Sequence, residues 1–275
     1  MANAALRNKV FAGNRAVGRV ALAVAAGTRG SRRTHVHESG SLRARFPNAY
    51  GPALDAVIVN VAGGTTGGDR LEVDIKVGAA AKLNVTTAAA EKIYRSLGPD
   101  AEIGVKLEVG PGGALAWLPQ ETILFDHARF RRAIDVDLAR DASLILAEAN
   151  VFGRFAMGET VTSGFFSDRW RVRIDGALVF AETMRLDGGI AERLAASAVA
   201  GGGNAVASVL KFPGDEPAVA AVRAMQQDFT GEVGVSCWND IALVRLVAPD
   251  GAALRRDLVR VLTAFGSSLP RLWLN

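Results

Sequence analysis

Strict alternation of apolar and polar residues, repeated along most of the chain, limits what this sequence can fold into more than any other feature. "RVALAV" (19–24) sets Val20, Leu22 and Val24 on one face. "LEVDIKV" (71–77) sets Leu71, Val73, Ile75 and Val77 on one face and Glu72, Asp74 and Lys76 on the other. "IGVKLEV" (103–109) and "AIDVDLA" (133–139) repeat the scheme. A period of two is the signature of a strand with one buried side. Between these runs lie "VGAAAK", "GPGG" and "ARDAS", which are turn material. Short strands spaced by about 8–12 residues predict an all-β architecture. The chain has 275 residues, 49% of them hydrophobic, which is ample for a sizeable core.

"WRVRID" followed by "ALVFAETMRL" predicts a hairpin turning at Asp175-Gly176. The small-residue stretch 188–212 is ambiguous, and we read it as extended. The last third then changes character. "DEPAVAAVRAMQQDF" (215–229) has apolar residues at 219, 222, 225 and 229, a helical spacing, with acids and Pro217 at its start. "GEVGVSCW" and "IALVRLVA" read as strands. "AALRRDLVRVLTAF" (252–265) predicts a second helix with Leu254, Leu258, Val261, Leu262 and Phe265 inward. The expectation is a mainly β protein. A β-rich, β-helix- or sandwich-like main domain (1–197) of many short strands carries a smaller C-terminal α+β region (198–275) with two helices.

Net charge is +4, with 32 basic and 28 acidic residues. The basic residues are dispersed, and the densest group is "HARFRRA" (127–133). A nucleic-acid module built on that cluster is a minor alternative; a basic surface suited to an acidic protein partner is the plainer one. The one cysteine, Cys237, excludes an internal disulfide and reads as a small buried hydrophobe. No apolar run is long enough to span a bilayer, and the N-terminus lacks a signal-peptide core. The expected location is the cytoplasm, with no membrane or nucleic-acid partner.

The glycine-rich loop "GGTTGGD" (63–69) has two glycines spaced as in a phosphate-binding loop. Asp69 stands where that loop needs lysine, and an alternating strand follows instead of a helix. A phosphate site is therefore excluded, and the glycines are expected to serve backbone geometry. His35 and His37 in "THVHE" share a strand face and could form half of a metal site; an exposed polar strand is the simpler reading. Asp126-His127 suggests a hydrolase or isomerase site, but no nucleophile elbow accompanies it. Glu121, Glu148, Glu159 and Glu182 each lie in or beside apolar, strand-like sequence. An acid in such a run must be paired, protonated, exposed or lining a wet cavity, because burying a bare carboxylate is costly. Four of them point to a polar interior or hydrated passage. Carboxylates without thiols suit a hard or borderline cation held weakly.

Several segments together resemble one family. They are "GGTTGGDRLEVDI" (63–75), "LNVTTAAAEKIYRS" (83–96), "LAWLPQETILFDHA" (115–128), "FGRFAMGET" (152–160) and "LPRLWLN" (269–275). In order and spacing they are similar to the urease accessory protein UreD family, called UreH in some organisms. The chain departs from some relatives at Ala62, where others have proline, and at Glu121, where others have aspartate. The resemblance implies a non-enzymatic scaffold with a β-rich fold of two domains and two helices. It binds apo-urease and recruits UreF and UreG, and UreG handles the GTP. The complex delivers nickel, and the only metal implied is transient Ni²⁺, with no tightly bound cofactor. A water-filled passage through the fold is implied as the nickel path, with Glu148 and Glu182 at acid positions linked to it. The motif positions marked as candidates are Gly63, Gly64, Gly67, Gly68, Asp69, Tyr94, Arg95, Gln120, Glu121, Arg154 and Glu159. Asp69 and Arg70 are expected to order the surface or passage used in the complex.

Overall fold

The alternating segments form two sheets that the chain visits in turn, as seen in a computed structural model that describes residues 15–48, 51–96, 98–154 and 157–274. The N-terminal segment read above for targeting lies outside these residues apart from its last few positions, and so do Phe155 and Ala156 of the 152–160 motif. The first sheet has seven strands: β1 (Val17–Gly27), β2 (Gly30–Gly40), β5 (Arg70–Val77), β8 (Ala101–Val109), β11 (Arg129–Leu138), β13 (Gly164–Ile174) and β14 (Ala177–Gly188). Their order is β14-β13-β11-β8-β5-β1-β2. The second contains β3 (Leu42–Arg45), β4 (Leu54–Asn60), β6 (Lys82–Thr87), β7 (Glu91–Ile93), β9 (Ala114–Trp117) and β10 (Thr122–Leu124). It is completed by β12 (Ser143–Phe152), β15 (Ala205–Phe212), β16 (Glu232–Trp238) and β17 (Ile241–Ala248). Its main path is β16-β17-β15-β12-β9-β6-β4-β3, with β10 joining β12 to β7.

From β4 to β13 the chain crosses repeatedly from one sheet to the other, and most neighbours within each sheet pair in parallel. This is a β-solenoid-like coil, as expected of a β-helix-like fold. Parallel register stacks like on like. In the first sheet Leu22, Ile75, Leu107, Val136 and Val172 form one inward row. In the second, Leu54, Leu83, Leu115, Leu144 and Phe212 form another. Nearly all are buried in one core between the sheets. That continuity explains why alternation, a local signal, extends over so much of the chain.

The hairpin forms at Asp175-Gly176, both with positive φ (48° and 80°), and Ile174 pairs directly with Ala177. The stretch read as extended is a correction in part. Ile190–Ala195 is a short helix, α1, burying Ile190 and Leu194 one turn apart, and only from Ala205 does the chain become a strand. The described residues therefore hold three α-helices: this one before residue 198 and the two expected in the C-terminal region. The first predicted helix is shorter than its pattern, Glu216–Ala224 (α2), capped by Asp215 through the Ala218 N–H (2.7 Å). The second, α3, runs Gly251–Ala264 with every predicted inward residue buried. Cys237 is half-buried on β16.

α2 and α3 cover the outer side of β12, β15 and β17 and close a second apolar core. The second sheet runs without a break across residues 197 and 198, since β15 pairs with β12 along eight positions, Leu144↔Phe212 to Val151↔Ala205. No helix among the described residues is long and apolar enough to cross a membrane.

Candidate functional site: a cavity between the sheets

Polar residues interrupt the apolar rows at one level of the coil. Along the first sheet one inward row reads Leu71, Ile103, Arg132, Asp168, so its apolar character gives way to an ion pair. From the second sheet Glu148 and Asn150 on β12 and Thr122 on β10 face the same region. All five polar residues are at least nine-tenths buried.

Arg132 is the hub. Its Nε and Nη2 donate to the two carboxylate oxygens of Asp168 (3.1 and 2.5 Å). Nη1 donates to Thr122 Oγ1 (3.0 Å) and meets Glu148 Oε2 at 2.6 Å, and Nη2 donates to Asn150 Oδ1 (3.0 Å). The guanidinium thus donates four hydrogen bonds and makes a further ion-pair contact with Glu148. Trp117 Nε1 donates to Glu148 Oε1 (2.9 Å), and Trp170 Nε1 donates to Asp168 Oδ1 (3.1 Å). Two carboxylates face one guanidinium out of water. Burial pushes the Glu148 carboxyl up to about 7; Arg132 opposes the rise, the Asp168 charge adds to it, and the Trp117 hydrogen bond reduces it. Burial thus favours the neutral form of Glu148, and Arg132 favours the ionised one.

Beside this cluster lies a cavity of about 230 Å³. Arg132, Glu148, Thr122, Trp117 and Gln120 line one part of it, Gly63, Gly64 and residues 88–92 another, and Leu42, Ile58, Leu71, Val73, Ile103 and Val105 give the rest an apolar wall. Glu91, half-buried, accepts from Thr65 Oγ1 (2.6 Å) and Asn60 Nδ2 (3.0 Å). Burial raises its carboxyl above the usual range, these two hydrogen bonds oppose the shift, and the Asp69 charge adds to it. Gln120 Nε2 is buried without a protein partner, while its Oε1 accepts from Arg255 (2.7 Å). A cavity with an orphaned donor and two carboxyl groups is suited to water.

The glycine loop is the rim. Asp69 is buried and accepts from the backbone N–H of Ala16 and of Thr66 (both 2.8 Å), which closes the turn on itself. Gly63, Gly64 and Gly68 have positive φ, and a Cβ on Gly67 would lie 2.3 Å from the Pro99 carbonyl oxygen. Close packing and backbone conformation therefore account for the glycines. Arg70 is exposed and pairs with Glu102 (3.3 Å). Tyr94 Oη donates to the Gly63 carbonyl (3.1 Å), and its ring meets Phe125 edge-on. The Arg154 guanidinium lies over the other aromatic face of this group, 4.2 Å from the Phe125 centroid, and is held by Glu159 (2.8 and 3.0 Å). The Arg95 carbonyl accepts from Thr66 Oγ1 (3.2 Å). Glu121 faces away from the cavity and pairs with Arg255 (2.9 Å), which stacks on Trp273 at the C-terminus.

Glu182 stands apart. It sits on β14 of the first sheet, part-exposed, paired with Arg245 (2.9 Å), and does not line the cavity. The two acids singled out for a cation path are thus in different settings, one buried and one at the surface. Among the described residues no group of three or more His, Cys, Asp or Glu is gathered for a metal ion. His35 and His37 are exposed on edge strand β2. Asp126 is occupied in clamping the next loop, accepting from Thr162 N, Thr162 Oγ1 and Ser163 N (2.7, 2.9 and 3.3 Å). His127 is a turn residue with φ 59°. The 127–133 cluster is no basic stripe, since Arg129 and Arg131 both bind Asp100 and Arg132 is inside.

Sequence reasoning missed Arg132, Asp168, Asn150, Thr122 and Glu91. Four of them carry a signal in phase: Arg132 follows Phe130 and precedes Ile134 and Val136 at the inward positions of β11, and Asp168 holds the same phase between Phe166 and Trp170 on β13. Thr122 and Asn150 are likewise inward on β10 and β12.

The sequence model of the UreD urease accessory proteins matches residues 16–274. The chain is 57% identical over 267 residues to "Urease accessory protein UreD" of Rhodopseudomonas palustris (strain HaA2), covering 97% of this chain and 96% of that protein. It is 52% identical over 268 residues to the protein of the same name from Bradyrhizobium diazoefficiens, covering 98% and 97%. Proteins so named are accessory to urease. With a match over nearly its whole length, the chain belongs to the UreD family of urease accessory proteins.

Proposed function

We propose that this protein is the scaffold on which apo-urease receives nickel in the cytoplasm. It binds apo-urease and recruits UreF and UreG, whose GTP hydrolysis accompanies metal insertion, and its interior cavity serves as a passage for Ni²⁺. One observation carries the passage: a cavity of about 230 Å³ between the sheets, lined in part by the carboxyl groups of Glu91 and Glu148. Ni²⁺ is cargo here. Oxygen donors without thiolate or clustered imidazole hold such an ion weakly, which transit requires. Glu182, part-exposed beside Arg245, fits an outer position on the route better than an inner one.

The test uses cells with urease and its other accessory genes but without this one, supplied with wild type, Glu148→Ala or Glu182→Ala. Urease nickel content is measured beside pull-down of urease and UreF. Reduced nickel with intact complexes is the expected result for Glu148→Ala. Normal nickel would leave the scaffold and remove Glu148 from the path; loss of complexes with wild type itself would remove the scaffold.

A further inference from the structure

Arg132 stands between the cavity and the groups that anchor it. Arg132 and Glu148 line the cavity, while Asp168 and Asn150 do not. The two carboxylates are held unequally. Asp168 takes a two-pronged grip from Nε and Nη2, and the Trp170 indole steadies its Oδ1. Glu148 meets a single nitrogen, Nη1, and keeps the Trp117 indole N–H on its other oxygen. Two-pronged guanidinium–carboxylate pairs are stronger and more directional than one-point contacts. Asp168 is thus the anchor and Glu148 the releasable partner.

Nη1 has a second role. It is the same nitrogen that binds Thr122 Oγ1, so one displacement frees two oxygens together. With Nη1 in place, a cation approaching Glu148 meets a fixed positive charge 2.6 Å from the oxygen it needs. With Nη1 turned away, a carboxylate oxygen and a hydroxyl face the cavity, and water completes the shell of a weakly held divalent ion.

We propose that Arg132 gates the cavity for divalent cations: it shuts the inner site by holding Glu148 and Thr122, and opens it by turning about its anchor on Asp168. The inference rests on the reading of the cavity as a cation passage.

The test is a titration of full-length, tryptophan-labelled protein with Zn²⁺, a diamagnetic divalent probe, followed through the indole N–H signals. Trp117 reports on Glu148. Trp273, whose indole donates to Leu118 O and Thr86 Oγ1, reports on the fold. In Arg132→Gln the Trp117 signal should shift at Zn²⁺ concentrations at least tenfold lower than in wild type. Adding Glu148→Gln to that variant should abolish the shift. Equal sensitivity of wild type and Arg132→Gln, with Trp273 unmoved, would overturn the gate. If Arg132→Gln disturbs Trp273, Arg132→Lys carries the test, because an ammonium held on Asp168 leaves Glu148 and Thr122 without Nη1. Sensitivity at least threefold above wild type is then expected, and wild-type sensitivity overturns the gate. The passage fails separately, by normal nickel in urease matured with a blocked cavity, whatever Trp117 does.

Discussion

Glu148 shows how one residue's surroundings set its chemistry. Its carboxyl is raised to about 7 from the usual 4.5, chiefly by burial. A raised folded-state value contributes stability that is complete below about 4.5 and is lost as pH rises through about 7. Wild type should therefore lose stability relative to Glu148→Gln across that window, by on the order of 3 kcal/mol at most, given ~1.4 kcal/mol per pKa unit. Denaturant titrations of both proteins at pH 5 and pH 8 read this directly, and parallel pH profiles would contradict it. Asp69 is the second case. Asp69→Ala strips acceptors from two backbone N–H groups, Ala16 and Thr66, and should cost about 1–3 kcal/mol in the same assay. Should Asp69→Ala also leave urease activation in cells untouched, the loop's part in the working complex would be abandoned and only its structural part kept.

At the scale of elements, α3 ties distant segments together. Asp257, buried on α3, accepts from the N–H groups of Thr230 and Gly231 just before β16 (2.8–3.0 Å). Asp257→Ala leaves both donors without this acceptor, and a loss of about 2–4 kcal/mol in chemical denaturation is expected. The helices and strands were largely legible from their periods: α3 with its five inward residues, the Asp175-Gly176 hairpin and the four alternating runs each follow a local rule. The 188–212 stretch was not, because small residues carry little periodic signal and α1 shows only Ile190 and Leu194 as a buried pair. The site was legible only in part. Glu148 stands out as an acid in an apolar run, whereas Arg132 and Asp168 look like ordinary charges until parallel register sets them side by side. Glu182 carries the same sequence signal as Glu148 yet lies part-exposed, since β14 is an edge strand whose neighbours do not close over it.

For the whole molecule, the continuous second sheet makes the C-terminal strands and helices part of one structure with the coil. Their unfolding should be coupled. Thermal melts followed at Trp238 on β16 and at Trp117 on β9 should coincide, and two separated transitions would mark 198–275 as an independent unit. The coil also explains how an interior polar site is tolerated. Inward rows on either side of Arg132 remain apolar, so a local polar level costs the core little while leaving space that a ladder of large side chains would fill. On the proposed passage, function depends on that space staying open. The measurement that bears most directly on this is the nickel content of urease matured with Ala90→Trp, a substitution at the cavity lining that leaves Glu148 and Arg132 unchanged. Nickel should fall severalfold while urease and UreF still co-purify with the variant. Full nickel loading with the cavity so obstructed would contradict the passage.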